Sequence, residues 1–404
     1  MTTQVIKRET GLSWRELAIL LGGRLVFNTG FRLLYPLLAF LSVGFGVSLQ
    51  TASLLVTVQV AATLLSPLGG AFSDARGERA ALIGGLALFC AGAVVCALAP
   101  SFWPFLAGYA LIGLATALFM PAVQAYASNR SDYSQRGRVL GFLELSWALA
   151  AMVGVAGLAL LVELRGTWGP AFAVLGAVGA LMLALTLTLD YGRGSLEREG
   201  RLDREGRERK GLLAGMGAAL RAPSVAATLA FVTLQMCAVE LIFVAYAAWL
   251  EGDFGASTQQ LGLVFGLVGL AELGGALGAT LFTDRVGKRR AVLLGFTATG
   301  LLMLLLPSSA GNWGLFLVLF LLFGLCFEFA IVSIFPLVSG LGAGARGTVL
   351  ALAVAASGLG RIVGSLAGPR LFAGAGFWAN GLLAGAIALA GVALGWALVR
   401  EGRD

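Results

Sequence analysis

Apolar residues along this chain gather in long runs and neither alternate nor recur in short patches. Twelve runs stand out, near 16–41, 48–72, 80–98, 102–126, 138–162, 168–189, 223–249, 258–282, 290–307, 313–338, 347–370 and 376–399. A helix rises about 1.5 Å per residue, so about 20 apolar residues cross a bilayer core of about 30 Å. Each run therefore predicts a membrane-spanning helix. A membrane β-barrel would need short alternating strands instead. The pattern predicts an all-α, polytopic membrane protein.

Composition agrees. Of 404 residues, 58% are hydrophobic and 12% charged, too little charge to cover a soluble protein of this size. The 58 glycines fit membrane helices. Cys90, Cys96, Cys237 and Cys326 all lie in apolar runs, with no CxxC and no histidine, so no metal or other cofactor is expected. An enzyme would need a nucleophile–base pair or a metal cluster, which this residue set does not offer.

The net charge of +7 has a topological distribution. If the N-terminus is cytoplasmic, 23 of the 28 basic residues fall on that side. The bias predicts a multi-pass protein of the cytoplasmic (inner) membrane with both termini inside, and it explains the basic balance without nucleic acid. The polar stretch Met1–Trp14 precedes a run too long for a signal peptide, so no cleavage is expected. The longest loop carries "EREGRLDREGRERK", which reads as a solvated linker. It divides the runs six and six: residues 1–189, a cytoplasmic linker 190–222, and residues 223–404.

The halves repeat. At an offset of 210 residues, Asp74, Gly77 and Arg79 meet Asp284, Gly287 and Arg289; Gly85, Trp103 and Gly154 meet Gly295, Trp313 and Gly364. "RGRVL" at 136–140 meets "RGTVL" at 346–350. Parallel repeats of this kind predict two pseudo-symmetric six-helix bundles.

Two loops carry a resemblance. "GAFSDARGER" (70–79) and "TLFTDRVGKRR" (280–290) resemble the signature of the major facilitator superfamily, Gly-x-x-x-Asp-(Arg/Lys)-x-Gly-(Arg/Lys)-(Arg/Lys). The first departs at Ala75 and Glu78, the second at Thr280. The resemblance implies a secondary transporter with its substrate site between the bundles, lined by spans 1, 5, 7, 8, 10 and 11. Tight turns at Gly77 and Gly287 suit a residue that tolerates positive φ. Asp74, Arg79, Asp284, Arg285 and Arg289 are gating candidates, since charges at helix ends can latch and release neighbouring helices.

The remaining signal is charge inside the runs. Arg24, Arg32 and Arg361 are basic; Glu144, Glu240, Glu272 and Glu328 are acidic. A charge at mid-membrane costs about 2.5–3.5 kcal/mol on insertion scales, so these groups must pair or line water. Arg24, Asn28 and Arg32 are spaced four apart, and Tyr35 returns almost to the same angle, so one stripe of the first span carries all four. Depth pairs Arg24 with Glu144, Arg32 with Glu240, and Arg361 with either Glu328 or Glu272. The plainer reading makes these fixed struts. The functional one makes Arg24, Asn28, Arg32, Tyr35 and Arg361 substrate contacts, with Glu240, Glu272, Glu328 and Glu144 as proton-coupling candidates. Phe27 and Phe31 flank the stripe and are candidates to touch an apolar ligand, with packing as their plainer role.

Family patterns are incomplete here. Tyr109 stands where proton-coupled members often carry an arginine, and "MVGVAGLAL" (152–160) lacks the proline that antiporters often have. The expectation is a monomeric secondary transporter that works by alternating access. It exports an amphipathic or anionic compound in exchange for protons. Uptake of a polar nutrient, lipid or lysolipid translocation, and a non-transporting receptor are the alternatives.

Overall fold

The computed structural model describes residues 12–131, 133–189, 223–340 and 346–399. Among these residues there is no strand. The N-terminal residues before Leu12 and the linker 190–222 lie outside them, as do the side chains of Asp74, Asp284 and most of both "RG-VL" segments.

Helix α1 (Trp14–Phe45) opens with a capping box. Ser13 accepts the Glu16 N–H at 3.3 Å, and the Glu16 carboxylate accepts the Ser13 N–H at 2.8 Å. It stops at Gly46, which takes φ 65°. Helix α2 is broken: Leu49–Ala52, Leu54–Thr63 and Ser66–Arg76, with a 42° bend. The cause is Pro67, which lacks an N–H and clashes with the carbonyl four residues back, at Thr63. The helix runs on through Pro36 in α1 and through Pro121 in α4.

The following helices are α3 (Glu78–Leu98), α4 (Phe102–Arg130), α5 (Tyr133–Leu149 continuing into Ala156–Arg165) and α6 (Gly169–Leu187). Next come α7 (Pro223–Phe243 and Tyr246–Phe254), α8 (Thr258–Val286), α9 (Lys288–Leu305) and α10 (Trp313–Gly340). The final stretch, Arg346–Leu398, is two helices that meet at Gly376, where φ is 69°. They are α11 (346–375) and α12 (377–398). Ten described helices are long and apolar enough to cross a membrane, and the bent α2 makes eleven. Division at Gly376 gives a helix for each of the twelve predicted spans. Gly77 and Gly287 take φ 85° and 93° at the two signature turns, as their sequence implies.

Burial is inverted relative to a soluble protein. Leu98 and Leu164 are 77% and 72% exposed, while Arg32 is 2% exposed. Apolar side chains outside and ionic ones inside suit a lipid solvent.

The described chain divides into two compact units. One holds the residues up to Leu189 with Thr258–Gly266; the other holds 223 to Ser257 and Leu267 onward. The first is built on aromatic packing: Phe27 stacks on Phe119 at 4.2 Å and tilts against Phe89 at 4.6 Å. The second has a core of Phe231, Phe296, Ala330, Ile334 and Val392.

The repeat extends to contacts. A Cβ on Gly85 would meet Phe119 at 2.8 Å, and one on Gly295 would meet Phe329 at 3.1 Å, both pairs being 210 residues apart. Gly154 abuts Thr29 on α1, and its counterpart Gly364 abuts Glu240 on α7. The scaffold repeats, whereas the charges inside the spans do not.

Candidate functional site

In the first unit the polar stripe of α1 faces α5. Arg24 donates through Nη2 to Glu144 Oε1 at 2.8 Å, the partner that depth suggests. One turn on, Asn28 Nδ2 donates to Ser146 Oγ at 2.9 Å. One turn further, the Arg32 guanidinium lies 4.4 Å from the Trp147 ring centroid and 4.9 Å from that of Phe265. Phe265 belongs to the Thr258–Gly266 segment of this unit, and Tyr35 stacks on it at 5.9 Å. The helical spacing of four thus places four predicted residues in one line.

The chemistry differs along that line. Arg24 is 6% exposed, and its Nε and Nη1 make no hydrogen bond among the described residues. Its partner Glu144 has a side chain 60% exposed. Arg24 therefore holds donors in reserve beside a carboxylate open to its surroundings. The Arg32 guanidinium carbon lies over both rings, a favourable cation–π placement. A guanidinium carries its N–H donors in its own plane, a geometry that suits a carboxylate or other oxyanion.

Phe27 sits in the aromatic core and serves packing; Phe31 tilts against Trp147 at 6.1 Å. Tyr109 is buried and donates its hydroxyl to the Gly30 carbonyl at 2.5 Å, a tether between α4 and α1. The "MVGVAGLAL" stretch has no proline but still leaves the α-helix: Ala150–Val155 forms a π-turn, and Ala156 N–H donates to Ala151 five residues back. Turns of this type recur at functional sites.

In the second unit Glu240 is fully buried and accepts Arg361 Nε at 2.9 Å, with the Arg361 side chain 24% exposed. This corrects the depth argument for Arg361, which gave it to an acid on α8 or α10. The reason is close packing of α7 on α11 through Gly360, Gly364 and Gly368, whose missing side chains let the backbones approach. Glu272 is buried on α8, where Gly324 of α10 approaches its Cγ; Glu328 lies on α10 opposite Gly275 of α8. Both acids thus belong to the α8–α10 contact.

Among the gating candidates, Arg79 and Arg285 are exposed. Arg289 is bound: its Nε donates to the Val399 carbonyl at 2.6 Å and its Nη2 to that of Trp396 at 2.5 Å, satisfying the last carbonyls of α12. A residue that sequence reasoning passed over is Glu78, noted only as a departure from the signature. It is buried and accepts Asn129 Nδ2 at 2.5 Å and Arg130 Nη1 at 2.8 Å. Arg130 also lies over the Tyr126 ring at 3.6 Å, and the Tyr126 hydroxyl donates to Glu16 at 2.9 Å. An acid where the signature wants a base was the available signal. Trp147 was also missed, although it lies one helical turn from Glu144.

A sequence model described as Major Facilitator Superfamily matches residues 20–239 and 228–404. The MFS-type transporter YwfA of Bacillus subtilis (strain 168) is 27% identical over 369 residues, covering 89% of this chain and 86% of its own. The multidrug resistance protein MdtG of Serratia proteamaculans (strain 568) is 25% identical over 266 residues, covering 64% and 62%. The crystal structure of a D-xylose-proton symporter matches with a TM-score of 0.76 at 18% identity, over 96% of this chain and 98% of that one. Identity that low speaks for the fold alone.

Proposed function

Because the chain belongs to the major facilitator superfamily and is a multi-pass membrane transporter, we propose that it is a secondary active transporter working by alternating access. It exports an amphipathic or anionic organic solute in exchange for protons, with both termini on the cytoplasmic side of the cytoplasmic membrane. The observation that carries this reading is Arg32, an arginine 2% exposed in the middle of an apolar helix, with its guanidinium against the rings of Trp147 and Phe265. Trp147, Phe265 and Tyr35 beside it suit the apolar body of such a solute. Arg24 and Asn28 extend the polar line, and Arg361 is the counterpart contact in the second unit.

Export draws support from the relative named for multidrug resistance. Proton coupling draws support from the buried carboxylates Glu240 and Glu272. Carboxylates in poorly hydrated sites are the usual carriers of a coupling proton. Uptake of a polar nutrient is the second reading. It rests on the Asn28–Ser146 pair, whose amide and hydroxyl suit a neutral hydroxylated solute.

The test is a thermal-shift screen of organic anions and their neutral analogues, followed by flux in proteoliposomes under an imposed pH gradient. Arg32→Ala is expected to weaken anionic ligands about 10- to 100-fold, the worth of a charge-assisted hydrogen bond, and neutral ones far less. Equal loss for both classes overturns the anion reading. Glu272→Gln is expected to abolish pH-driven flux while ligand binding remains, and undiminished flux removes Glu272 from the coupling.

A further inference from the structure

The break in α7 has a hydrogen-bond ledger that does not close within the helix. Val244 N–H still reaches Glu240 four residues back at 3.0 Å, but Ala245 N–H turns to Ile242, three back, at 3.2 Å. The Leu241 carbonyl, the regular acceptor for Ala245, is thereby left to another donor. That donor comes from α12: Asn380 Nδ2 reaches the Leu241 carbonyl at 2.8 Å and the Gly368 carbonyl of α11 at 3.0 Å. Asn380 is fully buried, and its own Oδ1 finds no partner among the described residues. Only the amide NH2 can donate, so the two carbonyls dictate the orientation and the oxygen goes unmet. One turn earlier on α12, Phe377 stacks on Trp249, beyond the break, at 4.0 Å and 2°.

The internal repeat supplies a control. An offset of 210 residues carries Asn380 onto Pro170, which has no amide side chain, and carries Val244–Ala245 onto Leu34–Tyr35. There α1 runs unbroken from Trp14 to Phe45. The break and the amide occur together in one half and are absent together from the other.

We propose that the first turn of α12 is a clasp that holds the break in α7 open, with Asn380 as the positioning residue acting through the Leu241 carbonyl and Phe377 fixing the segment beyond. The turn it holds begins at Glu240, so the clasp also sets the register of the Glu240–Arg361 pair. The claim concerns the shape of α7 and stands whether or not the transported solute is an anion.

Hydrogen exchange of the full-length protein in nanodiscs, read by mass spectrometry, tests it. Asn380→Leu removes both donors, and the orphaned Leu241 carbonyl can then be met by Ala245 if α7 closes into a continuous helix. Exchange over 242–250 is expected to change at least fivefold, while 225–236 stays within twofold. Phe377→Leu leaves the amide bonds in place and is expected to alter only 246–254, together with the emission of Trp249. If Asn380→Leu does not fold, Asn380→Ser, which keeps one donor, is read in the same way with a smaller change. Unchanged exchange over 242–250, or an equal change along the whole chain, overturns the clasp and leaves Asn380 as ordinary packing.

Discussion

The contact between α7 and α11 can be probed with one methyl group. A Cβ added at Gly364 would lie 2.6 Å from Glu240 Cβ and 2.7 Å from the Cys237 carbonyl, where ordinary contact begins at 3.4 Å. The helices must separate by about 0.8 Å. Overpacking of this kind costs about 1–3 kcal/mol, and the backbone carbonyl, which cannot rotate away, places it toward the upper end. The same separation stretches the 2.9 Å Arg361–Glu240 bond to about 3.7 Å, beyond hydrogen-bonding range, with a further loss of about 1.5–3 kcal/mol. Against this, alanine in a helix gains up to about 1 kcal/mol over glycine. Gly364→Ala is therefore expected to lose about 2.5–5 kcal/mol net. Gly157 on α5 is the control, because a Cβ there meets nothing within 4 Å, so Gly157→Ala keeps only the propensity gain. The assay is unfolding of the purified protein in mixed micelles titrated with dodecyl sulfate, followed by helical circular dichroism. Stability of Gly364→Ala equal to or above that of Gly157→Ala would refute the packing argument and the link from these glycines to the ion pair.

Two further outcomes follow from the same scaffold. Glu78→Ala removes the buried acceptor of Asn129 and Arg130 and should cost about 3 kcal/mol in the same titration, whereas its repeat counterpart Lys288→Ala, on an exposed side chain, should stay within about 0.5 kcal/mol. Equal effects at the two positions would show that Glu78 is no anchor. Arg289→Ala strips the last carbonyls of α12 of their donors and should speed hydrogen exchange in the turn 394–399 without reaching α7; protection that is unchanged there would mean the cap is idle.

Local features of this protein were legible in its sequence because local rules govern them. Run length set twelve helices, since a bilayer demands about 20 apolar residues of any helix that crosses it. Gly77 and Gly287 announced their turns because the φ they adopt is one that glycine takes readily. The stripe Arg24–Asn28–Arg32 could be placed on one face because helical periodicity needs no partner to be known. Partners were another matter. Glu240 takes Arg361 because Gly360, Gly364 and Gly368 bring two backbones together more than a hundred residues apart in the chain. Glu78 looked like a defect in a motif until α4 supplied Asn129 and Arg130. Trp147 and Phe265 lie against Arg32, and Asn380 meets the Leu241 carbonyl at the break in α7, through contacts that no periodicity encodes. A buried charge must find a partner, and the sequence states that need; which partner it finds depends on how closely helices approach, and only the packed tertiary structure sets that distance.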